Sequence, residues 1–380
     1  MVQSVKNIKH KIHVVIGTRP EAIKMAPLIK ELERRPEQFE ASVVATGQHR
    51  EMLAQVLDSF EIIPAHDLDI MRHGQTLADI TTRVLNGMTE LLRLERPSAV
   101  LVHGDTTTAM AAAMAAFYEE IPIGHVEAGL RTYNTREPFP EEFNRQCIGS
   151  MASYHFAPTA LAEKNLLDEH KDPDRIIVTG NTAIDALALT LHDAYSTPDL
   201  DWVCDDRLIL VTCHRRENLG ENMRAIFTAL RRIVTDYPDT KVIYPVHLNP
   251  RIQQKAKDIL GDSDRVRLID PLAVIDFHNY MNRAYLILTD SGGVQEEAPS
   301  MGKPVLVARN VTERPEGVDA GTLKIAGVAE EGVYASIAEL LDDSALYERM
   351  AGAKNPYGDG HASERIADFL WKTLSITCSG

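Results

Sequence analysis

The 380-residue chain is acidic, with 55 acidic against 40 basic residues and a formal charge of -15. This balance argues against a general binding surface for nucleic acid or anionic membrane. Any phosphate group must therefore be bound by a few placed side chains and backbone amides. Hydrophobic residues make up 44% of the chain, which at this length is enough for two domains.

The sequence also lacks the signatures of membrane insertion and disulfide bonding. No apolar segment approaches the roughly 20 residues that a bilayer-spanning helix needs, and the first residues lack a secretory signal pattern. The cysteines Cys147, Cys204, Cys213 and Cys378 form no CxxC pair and no metal-ligand spacing. We therefore predict a cytoplasmic protein with reduced thiols.

Short apolar segments alternate with helical patterns in the first half of the chain. Segments 20–35 and 77–94 carry apolar residues at the three- and four-residue spacing of an amphipathic helix. Strands are predicted at residues 12–17, 41–46, 99–104, 121–126 and 175–180. This alternation predicts a doubly wound parallel sheet with helices on both faces.

The same pattern restarts after a polar stretch at residues 196–206. Strands are predicted there at residues 207–213, 241–246, 265–270, 284–290 and 303–308. We therefore predict an α/β protein of two Rossmann-like domains, residues 1–180 and 181–360, that face a cleft. The amphipathic segment 361–374 is predicted to be a helix, and it could pack on either domain.

Several polar side chains lie in the stretch from Ala99 to Arg145, on predicted loops that follow strands. Parallel sheets present functional groups at this position. His103, Asp105, His125 and Glu127 could bind a metal ion. Carboxylates of this stretch, including Glu141 and Glu142, could instead transfer protons as general acids and bases.

A first anion site is predicted at GTRPEAIKMAP, where Gly17 permits a tight turn and Arg19 and Lys24 lie near a helix start. The motif is neither GxGxxG nor a P-loop. Solvated charges at an ordinary strand-to-helix turn are the alternative.

A second anion site is predicted at LTDSGGVQEE, where Ser291, Gly292 and Gly293 open a helix. Their amides and the positive helix end suit a diphosphate. Glu297, about one turn further, could accept hydrogen bonds from a ribose diol. The alternative is that Glu296 and Glu297 only favour the helix dipole.

Basic groups follow other predicted strands of the second half, at residues 214–216, His247 and Arg314. They are expected on one rim of the domain. A Cys213/His214 nucleophile pair is disfavoured, because neighbouring side chains on a strand point to opposite faces.

Ten motifs in order closely resemble the non-hydrolysing UDP-N-acetylglucosamine 2-epimerases over nearly the whole chain. They are GTRPEAIKMAP, TGQHREML, VHGDTTT, GHVEAGLRT, PFPEEFNR, TGNTAIDAL, HRREN, YPVHLNP, LTDSGGVQEEAPSMGKPVLV and NPYGDG. The resemblance implies a glycosyltransferase-B-like fold, a cytoplasmic homodimer and interconversion of UDP-GlcNAc and UDP-ManNAc without a metal or redox cofactor. It further implies elimination of UDP to 2-acetamidoglucal, followed by re-addition.

Matching position to motif assigns expected roles to individual residues. The acid and base groups would be Asp105, Glu127 and Glu141, with His214 near the diphosphate. The substrate contacts would be Arg19, Lys24, His247, Ser291, Gly292, Gly293, Glu297 and Arg314, with Phe277 near the uracil. The sequence does not show which of the three carboxylates serves which face of the sugar.

Many bacterial members of the family bind a second, activating UDP-GlcNAc. The resemblance places that site at Gln48, His49 and Glu51 with Arg215 and His247. This chain departs from some members at Gly74, where they carry a basic residue.

Three other functions remain alternatives at this point. A hydrolysing epimerase would release ManNAc and UDP, and a glycosyltransferase would require an acceptor. A sugar-nucleotide sensor would bind without turnover, but it would leave Asp105, Glu127 and Glu141 unused.

Overall fold

A computed structural model describes residues 9–47 and 50–377, which form two α/β units. Unit 1 extends to Leu189 and resumes at Gly358, whereas unit 2 comprises Thr190–Tyr357. Each unit is built on one parallel sheet, as the alternating apolar segments predict. None of the helices in the described ranges has both the length and the apolar character needed to cross a membrane.

Within the described residues, the sheet of unit 1 has seven parallel strands in the order β3-β2-β1-β4-β5-β6-β7. The strands are β1 His10–Ile16, β2 Phe39–Ala45, β3 His66–Asp67, β4 Ala99–His103, β5 Ile123–Val126, β6 Tyr154–Ala157 and β7 Ile176–Val178. The helices are α1 Arg19–Arg34, α2 Arg50–Ser59, α3 Leu77–Glu95, α4 Thr107–Tyr118, α5 Glu141–Met151, α6 Ala160–Asp168, α7 Thr182–Thr190 and, after unit 2 in the chain, α16 Ala362–Thr377.

The described part of unit 2 has six parallel strands in the order β10-β9-β8-β11-β12-β13. The strands are β8 Arg207–Thr212, β9 Thr240–Pro245, β10 Val266–Ile269, β11 Leu286–Thr289, β12 Val305–Val307 and β13 Leu323–Ile325. The helices are α8 Pro198–Val203, α9 Glu221–Asp236, α10 Pro250–Leu260, α11 Val274–Arg283, α12 Gly292–Glu297, α13 Pro315–Asp319, α14 Glu330–Asp342 and α15 Ser344–Ala351.

The division between the units lies at the end of α7 rather than after residue 180. The carboxylate of Asp185 in α7 accepts hydrogen bonds from the backbone N–H groups of Ala362 (3.2 Å) and Ser363 (2.7 Å). These bonds hold α7 and the start of α16 together inside unit 1. The polar stretch 196–206 lies within unit 2 and contains α8.

Helix α16 packs on unit 1 through aromatic side chains. The ring centroids of Trp371 and Phe39 lie 6.1 Å apart, and those of Phe369 and Phe156 lie 5.7 Å apart. Both pairs meet edge to face, a favourable geometry for aromatic rings. The end of the chain therefore completes the hydrophobic core of the first unit.

Candidate active site

Two predicted carboxylates lie at the carboxyl edge of the unit 1 sheet. Strands β4 and β5 are paired with His103 opposite Val126. Glu127 directly follows β5, and Asp105 follows β4 after Gly104. The two groups therefore emerge from neighbouring strand ends, where open parallel sheets bind ligands.

Glu127 is almost buried and ion-paired. Its carboxylate accepts hydrogen bonds from Lys24 Nζ and from Asn181 Nδ2, the latter at 3.2 Å. Burial alone would raise the pKa of Glu127, but the neighbouring positive groups, Lys24 first and then His103 and Arg145, together outweigh burial, and the pKa lies well below its ordinary value. Glu127 also has a φ of 63°, a left-handed conformation that is uncommon for non-glycine residues.

Asp105 experiences the opposite net effect. Burial raises its pKa, and the Arg145 guanidinium, 2.5 Å from its carboxylate, offsets this only in part. The backbone carbonyl of Asp105 accepts a 2.8 Å hydrogen bond from Asn144 Nδ2. Helix α5 thus holds both the backbone and the side chain of Asp105.

The paired acidic residues of PFPEE have different environments. Glu142 is buried and accepts hydrogen bonds from the N–H groups of Thr132 (3.0 Å) and Tyr133 (3.1 Å), so it anchors the preceding loop. Glu141 begins α5, and its carboxylate has no hydrogen-bond or ion-pair partner among the described residues. It shares a helix face with Arg145, four residues later.

The loop between β1 and α1 is held by a buried carboxylate. Glu21 accepts hydrogen bonds from the N–H groups of Gly17 (2.9 Å) and Thr18 (2.6 Å) and from the Thr106 hydroxyl (2.6 Å). A Cβ on Gly17 would lie 2.2 Å from an atom of Thr108, so only glycine permits this approach to the start of α4. Arg19 and the loop that carries Asp105 are therefore positioned together.

The histidines of the first stretch are buried, and His103 Nε2 lies 3.8 Å from the Glu127 carboxylate. His125 Nε2 donates a 2.7 Å hydrogen bond to the Gly104 carbonyl, and burial lowers the pKa of His125 to about 3. Burial likewise lowers the pKa of His103 to about 4. Among the described residues, these histidines do not form a metal-ligand cluster with Asp105 and Glu127.

In unit 2, two guanidinium groups lie at the start of α12. A Cβ added to Gly292 would lie 3.6 Å from Nη2 of Arg314 and 4.0 Å from Nη2 of Arg215. These are ordinary contact distances, and Gly292 has no positive φ, so neither packing nor backbone conformation requires glycine there. The absence of a side chain at Gly292 lets a ligand approach the helix amides between two guanidinium groups, of which that of Arg314 is also paired with Glu296.

A buried carboxylate fixes the neighbouring HRREN loop. Asp290 Oδ2 accepts hydrogen bonds of 2.9 Å from the N–H groups of His214 and Arg215 and from Asn218 Nδ2. Burial lowers the pKa of His214, although Asp290 partly opposes the shift. The rings of His214 and His247 are stacked with centroids 5.7 Å apart, which brings two separate motifs together.

A cavity of about 450 Å³ in unit 2 is lined by several predicted substrate contacts. Its walls include His214, His247, Phe277 and Ser291. Glu297 follows the lining residue Val294 by three positions in α12. One of its carboxylate oxygens lies 3.8 Å from a Cβ added at Gly293, so the side chain folds back along the helix. The remaining walls are mostly apolar and suit a flat base: Thr212, Cys213, Pro245, Leu248, Pro271, Leu272 and Val294.

Comparison with known proteins decides the family. The family model described as UDP-N-acetylglucosamine 2-epimerase matches residues 30–371. UDP-N-acetylglucosamine 2-epimerase of Bacillus subtilis is 59% identical over 362 residues, which cover 95% of each chain. The chain belongs to the UDP-N-acetylglucosamine 2-epimerase family.

Solved structures agree with this membership. A putative UDP-N-acetylglucosamine 2-epimerase from Listeria monocytogenes has a TM-score of 0.94 and 55% identity, with coverage of 97% of this chain and 98% of that one. The epimerase from Neisseria meningitidis, solved with UDP-GlcNAc, has a TM-score of 0.85, 46% identity and coverage of 96% and 100%. A glycotransferase of kitacinnamycin shares the fold at 13% identity and a TM-score of 0.67, as a glycosyltransferase-B-like architecture predicts.

The predicted site residues of this family member fall into two groups. Unit 1 brings Lys24 to Glu127 and places Asp105 on the adjacent strand end, whereas Arg19 and Glu141 lie at helix starts. Unit 2 brings together the predicted residues His214, Arg215, His247, Phe277, Ser291, Gly292, Gly293, Glu297 and Arg314. Gln48, His49 and the side chain of Glu51 lie outside the described part of the chain.

Sequence reasoning missed the residues that support these groups, namely Glu21, Asn144, Arg145 and Asp290. Asp290 could have been found, because it is a carboxylate directly after a buried strand and before the SGG turn. Glu21 could also have been found, because Thr18 and Glu21 form the T-x-x-E pattern of a capping box. Asn144 and Arg145 carry no such signal, since their partner Asp105 is distant in sequence.

Proposed function

We propose that this chain catalyses reversible epimerisation at C2, which converts UDP-N-acetylglucosamine to UDP-N-acetylmannosamine. The observation that carries the proposal is the pair of carboxylates at adjacent strand ends, Asp105 and Glu127, with pKa values shifted in opposite directions. Removal and return of a proton at one carbon require one proton acceptor and one proton donor. Differently tuned carboxylates supply both.

Simple deprotonation does not explain the reaction, because no carbonyl neighbours C2 to acidify its hydrogen. In the proposed route, a base takes the C2 proton, the C–H electron pair forms the C1–C2 double bond, and the C1–O bond breaks to release UDP. The intermediate is 2-acetamidoglucal. A proton then reaches C2 from the other face while a β-phosphate oxygen of UDP re-forms the bond to C1, so all atoms are conserved.

Unit 2 would hold the departing nucleotide. Arg215, Arg314 and the amides at Ser291–Gly293 provide positive charge and N–H donors for the diphosphate, which gains charge as the C1–O bond breaks. The uracil would occupy the cavity at Phe277, and Glu297 would accept from the ribose. The UDP-GlcNAc bound to the Neisseria relative supports this substrate.

The remaining predicted groups have supporting roles. Glu141 would complete the acid and base set, and Arg19 would contact the nucleotide. Lys24 would act through Glu127, its ion-pair partner in unit 1. His214 would donate to the diphosphate. No metal or redox cofactor enters these steps.

Product analysis tests the proposal. The purified protein is incubated with UDP-GlcNAc, and the products are followed by ¹H NMR. UDP-ManNAc is expected as the sugar-nucleotide product, with an equilibrium reached from either epimer. Free ManNAc plus UDP would instead indicate a hydrolysing epimerase, sugar transfer only with an acceptor would indicate a glycosyltransferase, and binding without turnover would indicate a sensor.

Activation by a second UDP-GlcNAc is a further proposal. It rests on the expected site at Gln48, His49 and Glu51 with Arg215 and His247. Initial rates with UDP-ManNAc should rise when trace UDP-GlcNAc is added. Equal rates with and without the additive would remove activation from the account.

We also propose a homodimer. Apolar side chains are exposed where α3 and α4 end: Leu94 is 82% exposed, and Phe117 and Tyr118 are exposed nearby. Arg93 and Arg96 both contact Glu119 and join these helix ends. Analytical ultracentrifugation should give a dimer that Leu94→Glu weakens, and a monomeric wild-type protein would contradict the proposal.

The cytoplasmic location stays a prediction from the sequence.

A further inference from the structure

A separate group of potential metal ligands lies in unit 1. His13 is in β1, His66 is in β3 and Glu95 ends α3. In the described ranges, these three residues form a group whose potential ligand atoms all lie within 4.8 Å of one another. None of the three belongs to the site proposed above.

Two imidazoles face one carboxylate in this group. His13 Nε2 lies 2.9 Å from Glu95 Oε2, and His66 Nε2 lies 3.0 Å from Glu95 Oε1. The side chain of His13 is fully buried, whereas His66 is 28% and Glu95 17% exposed. The group is therefore held by the core on one side and reached by solvent on the other.

The group lies away from the catalytic carboxylates. His13 pairs with Val100, the second residue of β4, whereas Asp105 follows the end of that strand. Three strand residues from Val100 to His103, at roughly 3.3 Å each, separate His13 from the strand end by roughly 10 Å along the sheet, and Asp105 lies beyond that end. A ligand bound here would not be part of the epimerisation site.

We propose that His13, His66 and Glu95 bind a divalent transition-metal ion, with Zn²⁺ as the best match. Two imidazole nitrogens and one carboxylate oxygen form a donor set that Zn²⁺ takes, with a fourth position left for water. Each neutral imidazole would offer the Nε2 lone pair in its Nδ1–H tautomer. The 2.9 Å bond to Glu95 favours a hydrogen on Nε2 of His13, so metal binding would move that hydrogen to Nδ1, which has no hydrogen-bond partner among the described residues.

Lys11 is the group that competes with the ion. Its ammonium lies 3.0 Å from Glu95 Oε2, but it also lies 3.3 Å from Glu40 Oε1. Glu40 therefore gives the ammonium an alternative partner when the metal takes Glu95. The bound ion would tie β1 and β3 to the end of α3 and stabilise unit 1 against unfolding.

The test uses tag-free, full-length protein stripped with a chelator. Zn²⁺ is titrated against a chelating dye, Co²⁺ is added in a parallel sample for its visible absorption, and the unfolding temperature is measured with and without Zn²⁺. We expect one equivalent of bound Zn²⁺, a tetrahedral Co²⁺ spectrum and a raised unfolding temperature.

Variants separate this site from adventitious binding. His66→Gln and Glu95→Gln should lose stoichiometric binding, and Lys11→Met should bind Zn²⁺ more tightly. His361→Gln removes an exposed histidine outside the group and should bind like the wild type. Absence of stoichiometric binding in the wild type, or unchanged binding in both His66→Gln and Glu95→Gln, would overturn the proposal. Lys11→Met removes only a competing ammonium and tests the site without loss of a ligand.

Discussion

Lys24 of α1 and Glu127 after β5 form a largely buried ion pair at the carboxyl edge of the unit 1 sheet. Burial favours a neutral Glu127, and the positive groups around it, with Lys24 as the main contributor, reverse that preference. The pair therefore favours the ionised form of Glu127, the form in which the proposed base accepts a proton. Its left-handed backbone places this charge directly at the strand end.

The first prediction concerns the charge of Lys24. Lys24→Met removes the group that lowers the pKa of Glu127, so that pKa should rise. A base acts when ionised, and activity is lost as pH falls through its pKa. The acidic limb of the kcat/KM profile should therefore move to higher pH. Lys24→Arg retains the charge and should leave the limb closer to the wild type; an unmoved limb in Lys24→Met would remove Glu127 as the titrating base.

The second prediction concerns the carboxylates themselves. Asp105→Asn and Glu127→Gln remove proton-transfer groups and should each lower kcat by about 10²–10⁴-fold. Glu37→Gln, an exposed position of the same unit, is the matched control and should keep normal turnover. Coupled assays of UDP-ManNAc formation measure the loss, and near-normal rates in both variants would exclude them from catalysis.

The third prediction concerns the start of α12. Gly292→Ala should fold normally, because the new methyl group meets only ordinary contacts, and alanine favours helix over glycine. The methyl group would nevertheless occupy the approach to the helix amides. Calorimetry should show UDP binding weakened about tenfold or more at an unchanged or raised unfolding temperature. Unchanged UDP affinity would place the diphosphate elsewhere.

The fourth prediction concerns Asp290, which holds the HRREN loop. Asp290→Asn removes the charge that raises the pKa of His214, so this pKa should fall further below its ordinary value. The variant should also bind UDP more weakly, since hydrogen bonds to a charged acceptor contribute about 1.5–3 kcal/mol. NMR titration of His214 measures the first effect, with the exposed Asp264→Asn as the control. A His214 pKa unchanged from the wild type would argue against this coupling.

The strands show what the sequence could predict. Every predicted strand segment overlaps an observed strand, because a strand buried on both faces is nearly continuous in apolar residues. The short strands β3, β6 and β13 were missed. Strand β3 is only two residues long, β6 contains a histidine and β13 contains a lysine. Each therefore shows too little apolar pattern to be detected.

The placement of the candidate groups was predictable where a motif follows a strand, as for Asp105, Glu127 and Ser291. It was not predictable where function depends on long-range support. Arg145 reaches Asp105 across 40 positions, and Glu21 reaches Thr106 across 85. Only the folded chain brings such partners together, and the domain boundary at α7 depends on Asp185 meeting Ser363 in the same way.

The most direct test of the account is epimerisation of UDP-GlcNAc in deuterium oxide, followed by NMR of both sugar nucleotides. Removal and return of the C2 proton predict solvent deuterium at C2 of UDP-ManNAc and, at equilibrium, of UDP-GlcNAc as well. Conversion to UDP-ManNAc with the original hydrogen retained at C2 would contradict the elimination and re-addition route.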